Sequence, residues 1–271
     1  MILPLLGLLA LCFTACKKQN SSYDEEVPSL RIRPPRYPTQ LLVDSSGSIH
    51  NAVLETLYND GANFQSTQDF AHYLVTTAND RLVTAYNFES LPKSFMQSGE
   101  ADIVKLMSNN FYLLQKPQMD SLMNNTIDQL VASPVIDAYE KSLFNESRHI
   151  FDVDVSMNEQ SAFDSIIARA ARLLVNYNSR SWPEDAGHCI GGFLNIARSS
   201  AQFWKERQPI YNRYTLPGWI RGWGFPQFDA AGYIVGWTKA WLWDELDTPN
   251  KRIGAGLAKA AEWSGISGWF R

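Results

Sequence analysis

Cysteine is scarce in this chain: three in 271 residues, at positions 12, 16 and 189. That excludes a small fold held by a framework of disulfides. Excess charge of one sign is also missing. Twenty-four basic residues against 28 acidic ones leave a net charge of −4, which gives no electrostatic case for nucleic acid as a partner. Apart from the first fifteen residues there is no long apolar run, and strictly alternating strand patterns are nearly absent. The sequence contains no H-E-x-x-H, no Walker loop, no G-x-G-x-x-G, no G-x-S-x-G and no C-x-x-C pair. The common sequence signatures of metalloproteases, nucleotide-binding enzymes and serine hydrolases are therefore lacking.

What is present is a core. Hydrophobic residues make up 45% of the chain, enough to exclude wholesale disorder. From Ser46 to Trp204 their spacing follows the 3.6-residue period of amphipathic helices. One stripe is Ile49, Val53 and Leu57; another is Phe70, Tyr73, Leu74 and Leu82. Pro117 opens a helix with Met119, Leu122, Met123, Ile127, Leu130 and Val131 on one side, and Ile136, Tyr139 and Leu143 continue at the same spacing. Ser156 and Glu159 form a capping box ahead of Phe163, Ile166, Ala170, Leu174 and Tyr177. Ser181-Trp182-Pro183-Glu184 forms a second ahead of Ala186, Cys189, Ile190, Phe193, Ala197 and Trp204. Leu82–Phe88 reads as a helix end and Ile150–Val155 as a connection. The expected fold is all-α: a bundle of about six helices burying one another's faces, with Cys189 as a small core residue.

The composition changes after Pro217. Nine of the sixteen glycines and most of the nine tryptophans lie beyond it. Helices are expected from Asp229, as N-cap, to about Leu246 and from about Lys251 to Trp269, joined by a turn at Asp247-Thr248-Pro249-Asn250. Gly232, Gly236 and Ala240 repeat every four residues in the first. Gly254 with Ala258, and Ala261 with Gly265, do so in the second. Such small faces let helix backbones approach closely, so a Gly/Trp-rich helical hairpin is expected over residues 209–271. Trp237, Trp241, Trp243, Trp263 and Trp269 also suit a membrane interface. Docking on the body, contact with lipid and insertion all remain open at this level.

At the other end, Met1–Ala15 (MILPLLGLLALCFTA) is apolar, uncharged and too short for a spanning helix, as expected of a signal peptide. Phe13-Thr14-Ala15-Cys16, followed by Lys17 and Lys18, resembles a bacterial lipobox. The resemblance implies cleavage before Cys16, diacylglycerol on its sulfur, and a protein lipid-anchored in the cell envelope, at the outer membrane or the periplasmic face. Each buried methylene of such an anchor contributes about 0.8 kcal/mol. Residues 16–40 carry Pro28, Pro34, Pro35 and Pro38 and read as an extended tether. Residues 41–208 would form the helical domain.

Three sets of residues are candidates for chemistry. Leu42-Val43-Asp44-Ser45-Ser46-Gly47-Ser48-Ile49 resembles the D-x-S-x-S metal-adhesion motif of von Willebrand factor A domains. That resemblance implies Mg²⁺ on Asp44, Ser46 and Ser48, oxygen ligands for a hard cation. The competing reading makes Asp44, Ser45 and Ser46 caps of the helix that follows, and then no cofactor is implied. His50 beside Asn51, near that helix start, is a candidate functional pair. His149 with Asp152 and Asp154 is a candidate metal corner. Finally, Gly47-Ser48-Ile49-His50-Asn51, Ser199-Ser200-Ala201-Gln202-Phe203-Trp204 and Asp229-Ala230-Ala231-Gly232 resemble segments of Bacteroidota-type secreted proteins and lipoproteins with a helical body and a glycine-rich tail. That group brings no activity with it. The function expected is an envelope lipoprotein acting as a binding or structural module, with an envelope protein as partner. The alternatives are a von Willebrand-type adhesion domain and a membrane-active tail.

Overall fold

A computed structural model of the chain describes residues 39–59, 64–108, 116–154, 156–184, 186–207, 224–243 and 245–266. Cys16, the signal segment and nearly all of the tether lie outside them. Among the described residues there are nine α-helices and no strand: α1 Thr39–Asn59, α2 Thr67–Tyr86, α3 Lys93–Ser108, α4 Lys116–Ala132, α5 Ala138–Ser147, α6 Glu159–Asn178, α7 His188–Glu206, α8 Phe225–Trp241 and α9 Pro249–Gly265. The all-α bundle is what the 3.6-residue spacing predicts.

Several boundaries differ from the sequence reading, each for a local reason. Helix α1 starts at Thr39 rather than after Ser46. Leu42 and Val43 are buried and extend the stripe of Ile49, Val53 and Leu57 upstream, so core packing carries the helix through Asp44, Ser45 and Ser46. Those three are therefore not caps. Helix α6 is capped by Asn158, whose side chain accepts from the Ser161 N–H, later than the Ser156 box would place it. Helix α7 begins at His188 behind Gly187 in the left-handed region, φ 76°, not at Pro183. Helix α8 begins at Phe225, with Pro226 in its first turn. Asp229 thus lies inside the helix and is not its N-cap. Helix α9 is capped by Thr248, which accepts from the Lys251 N–H at 3.3 Å. Helix α2 closes at Asn87, left-handed at φ 56°, as a helix end at 82–88 requires.

Residues 37–271 form one compact unit. Its centre is made by α7, α8 and α9. Helix α8 packs on α9, α7 and α4, and α9 also meets α1, α2, α3 and α7. Helices α1 and α6 flank α7, and α5 leans on α4, α6 and α7. The two C-terminal helices are buried along almost every turn, which is why no apolar stripe stands out in α8. Their mutual approach depends on small residues. A Cβ on Gly236 would sit 2.6 Å from the Ala255 carbonyl oxygen. Among the described residues, no helix is long and apolar enough to cross a membrane.

Candidate functional site

The three segments that resemblance singled out, on α1, α7 and α8, meet in the interior. Gly47 makes the meeting of α1 and α7 close: a Cβ there would lie 2.5 Å from the Ser199 Cβ and 2.6 Å from the Asn195 carbonyl oxygen. One turn further along α1, the Asn51 side-chain amide donates to the Ser199 carbonyl at 3.1 Å. That carbonyl can only accept, so Asn51 presents its NH2 group to it and its oxygen to His50 Nδ1, 3.1 Å away. By this chain of partners the His50 Nδ1 carries a hydrogen.

The other edge of the imidazole faces Asp229 of α8. His50 Nε2 lies 3.6 Å from Asp229 Oδ2, with both side chains fully buried. The same oxygen accepts from the Trp204 indole at 3.1 Å and from the Ser200 hydroxyl. Among the described residues, His50 Nε2 and the second carboxylate oxygen, Oδ1, have no hydrogen-bond partner. Around them Trp204 stacks on Phe225, ring centroids 4.2 Å apart, and meets Tyr58 edge-on at 5.5 Å. Asp229 thus ties α1, α7 and α8 together inside an aromatic shell.

The residue types suggest a serine–histidine–carboxylate relay, but their order does not support one. A nucleophilic serine hands its proton to an imidazole that the carboxylate orients from behind. Here the carboxylate stands in the middle and takes the serine proton's hydrogen bond itself. With Ser200, His50 and Asp229 all sealed from solvent, the arrangement acts as a polar clamp between helices. Asn51→Ala leaves His50 Nδ1 without its acceptor and takes from the Ser199 carbonyl the second donor it has beside its helical bond, and is expected to cost about 1–3 kcal/mol, read by urea denaturation. A loss below 0.5 kcal/mol (roughly the scatter of neutral surface changes) would dissolve the link.

Outside the clamp lies an open groove of about 390 Å³ between α1 and α7. Ser48, Asn51, Glu55, Ser199, Gln202 and Glu206 line it. Arg207 closes one end, paired with Glu55 and lying over the Phe203 ring at 3.7 Å. Asn51 is shared: one side of the residue lines the groove and its amide touches the clamp.

The other sequence candidates do not converge. Asp44, Ser46 and Ser48 lie on continuous helix, and the helical turn of 100° per residue points Ser46 away from the other two. Ser46 is buried and donates to the Leu42 carbonyl at 3.0 Å. Ser48 donates to the Ser45 carbonyl, and Asp44 accepts from Gln40. His149 Nδ1 pairs with Asp152 at 2.7 Å, while Asp154 turns to Ser156. Among the described residues, no three His, Cys, Asp or Glu side chains are grouped to hold a metal ion. Cys189 is buried, and burial pushes its thiol pKa well up, as for a core residue. Asp229, Ser200 and Trp204 were not singled out as site residues by sequence. The available signal was their membership in the three quoted segments. No protein-family model, curated protein or solved structure matches the chain.

Proposed function

We propose that the protein is a cell-envelope lipoprotein, anchored through Cys16, whose helical unit is a binding or structural module for an envelope protein partner. The observation that carries the reading is the division of labour between α1 and α7. Their polar groups with catalytic potential are locked inward as a clamp, while their outer faces leave a polar groove open to solvent. A rigid scaffold presenting a groove suits recognition, because preorganised side chains lose less entropy on binding. The lipobox-like Phe13-Thr14-Ala15-Cys16 and the proline-rich stretch after it support the anchor and a spacer from the bilayer.

Fatty-acid labelling of the wild type and of Cys16→Ala, followed by fractionation, tests the anchor. Label on the wild type alone, with the variant released from membranes, is the expected result. An unprocessed amino terminus on cytosolic material would refute it. Crosslinking in intact cells tests the module: Glu206→Lys, which reverses charge at the groove, is expected to reduce recovery of the envelope partner at unchanged protein level.

A further inference from the structure

Away from the clamp, Glu140 of α5 is placed where a carboxylate is hard to keep charged. Its residue is 2% exposed. Its carboxyl accepts from backbone alone, a long hydrogen bond of 3.4 Å from the Gly187 N–H at the start of α7 and a second from the Ile190 N–H. Arg180, the cation of this region, is already taken by Asp137, at 2.9 Å. An ion pair to Glu140 is absent among the described residues. A buried acid without a cation lowers its energy by keeping its proton.

Gly187 is the hinge of the junction. Its left-handed φ of 76° opens α7, and Trp182 lies so close that a Cβ would meet its ring at 2.4 Å. Trp182 in turn stacks on Tyr177, centroids 4.9 Å apart, with Arg180 over the Trp182 ring at 4.9 Å. The backbone of 187–190 therefore joins Glu140 to the stack of Trp182 on the buried Tyr177.

We propose that the junction of α5 with α7 is a pH-responsive latch, closed while Glu140 holds a proton and loosened when the carboxyl becomes charged. The groups around it are few. On α5 itself stand Asp137, whose charge opposes ionisation of Glu140, and Lys141. From the α6 side come Tyr177 and Arg180, and from α7 come Cys189 and the buried His188. From α4 comes Asp128, paired with Arg148; Arg148 lies eight residues, about 12 Å, along the chain from Glu140.

Desolvation raises the carboxyl from its ordinary 4.5 to about 7, backbone hydrogen bonds from Gly187 and Ile190 only partly opposing it. The sign follows. Between those values the closed junction holds a proton that the opened one releases, so opening becomes easier as pH rises from about 4.5 and levels off above about 7.

Hydrogen exchange on the purified protein, corrected for intrinsic exchange rates, reads this directly. Protection of amides 187–190 is expected to fall on the order of a hundredfold between pH 5 and pH 7.5, then level. Glu140→Gln, which keeps the shape and stays neutral, is expected to show no such slope. His188→Gln is expected to keep it. An equal slope in Glu140→Gln, or none in the wild type, overturns the latch. Carbon NMR of the Glu140 carboxyl in the wild type gives a test that needs no variant: a midpoint near 7 supports the proposal, and one near 4.5 overturns it.

Discussion

Asp229→Ala is expected to lower stability by about 3–5 kcal/mol, much of what a domain possesses. The carboxylate oxygen Oδ2 is the shared acceptor for the Ser200 hydroxyl and the Trp204 indole, and it faces His50 Nε2. Its loss strands the Ser200 hydroxyl and the Trp204 indole in a dry interior, where each unpartnered polar group costs about 1–3 kcal/mol, and leaves a void beside the Trp204–Phe225 stack. Asp229→Asn keeps an acceptor oxygen and should lose less. Ser200→Ala removes one donor and should lose least. Urea unfolding of the three variants checks the order. Asp229→Ala within 1 kcal/mol (a typical net hydrogen bond) of the wild type would show that the three helices are held together some other way.

The second large effect comes from a single methyl. Glycine inside an exposed helix costs about 1 kcal/mol against alanine, so Gly236→Ala would ordinarily stabilise. Here the new Cβ would lie 2.6 Å from the Ala255 carbonyl oxygen, 2.6 Å from the Lys259 Cβ and 3.1 Å from the Gly256 Cα. Two of those three are backbone of α9 and cannot swing aside, so the helices must separate along their whole contact. Gly236→Ala is expected to destabilise, and Gly236→Val to cost more than about 3 kcal/mol, the upper range of overpacking. Gly254 serves as the control. Its Cβ would approach a side chain, the Phe88 ring at 3.0 Å, which has room to tilt, so Gly254→Ala should be far milder. Thermal melts of the pair decide it, and a raised Tm for Gly236→Ala would contradict the close packing.

Helical class was legible because the apolar spacing of α2, α4 and α6 is produced by one-sided burial, and the repeat survives in the letters. Phe70, Leu74, Met119, Met123, Ile127, Phe163 and Ile166 are buried as their spacing requires. Helix starts were less legible. Ser156, Ser181 and Asp229 are good cap residues on local grounds, yet Asn158, Gly187 and Gly224 stand at those boundaries. Local propensity contributes about 1 kcal/mol at a cap, and the packing of the assembled helices outweighs it. His50 and Asn51 were visible as candidates because a histidine beside an amide is unusual at an apolar position. Asp229 looked like a cap because its partners are 25, 29 and 179 residues away in the chain.

By itself the sequence determined what depends on neighbours within a turn or two: helix, the residues that face a core, the glycine spacing that lets two helices touch, and the lack of cysteines for a disulfide framework. Tertiary structure alone decided which helices meet. It carried α1 back through Asp44 and Ser46, drew Asp229 inside, set Ser200 and His50 against it, and left Glu140 without a cation. Those outcomes turn on burial and on contacts between residues far apart in the chain, and desolvation energy belongs to the assembled interior rather than to any stretch of residues within it.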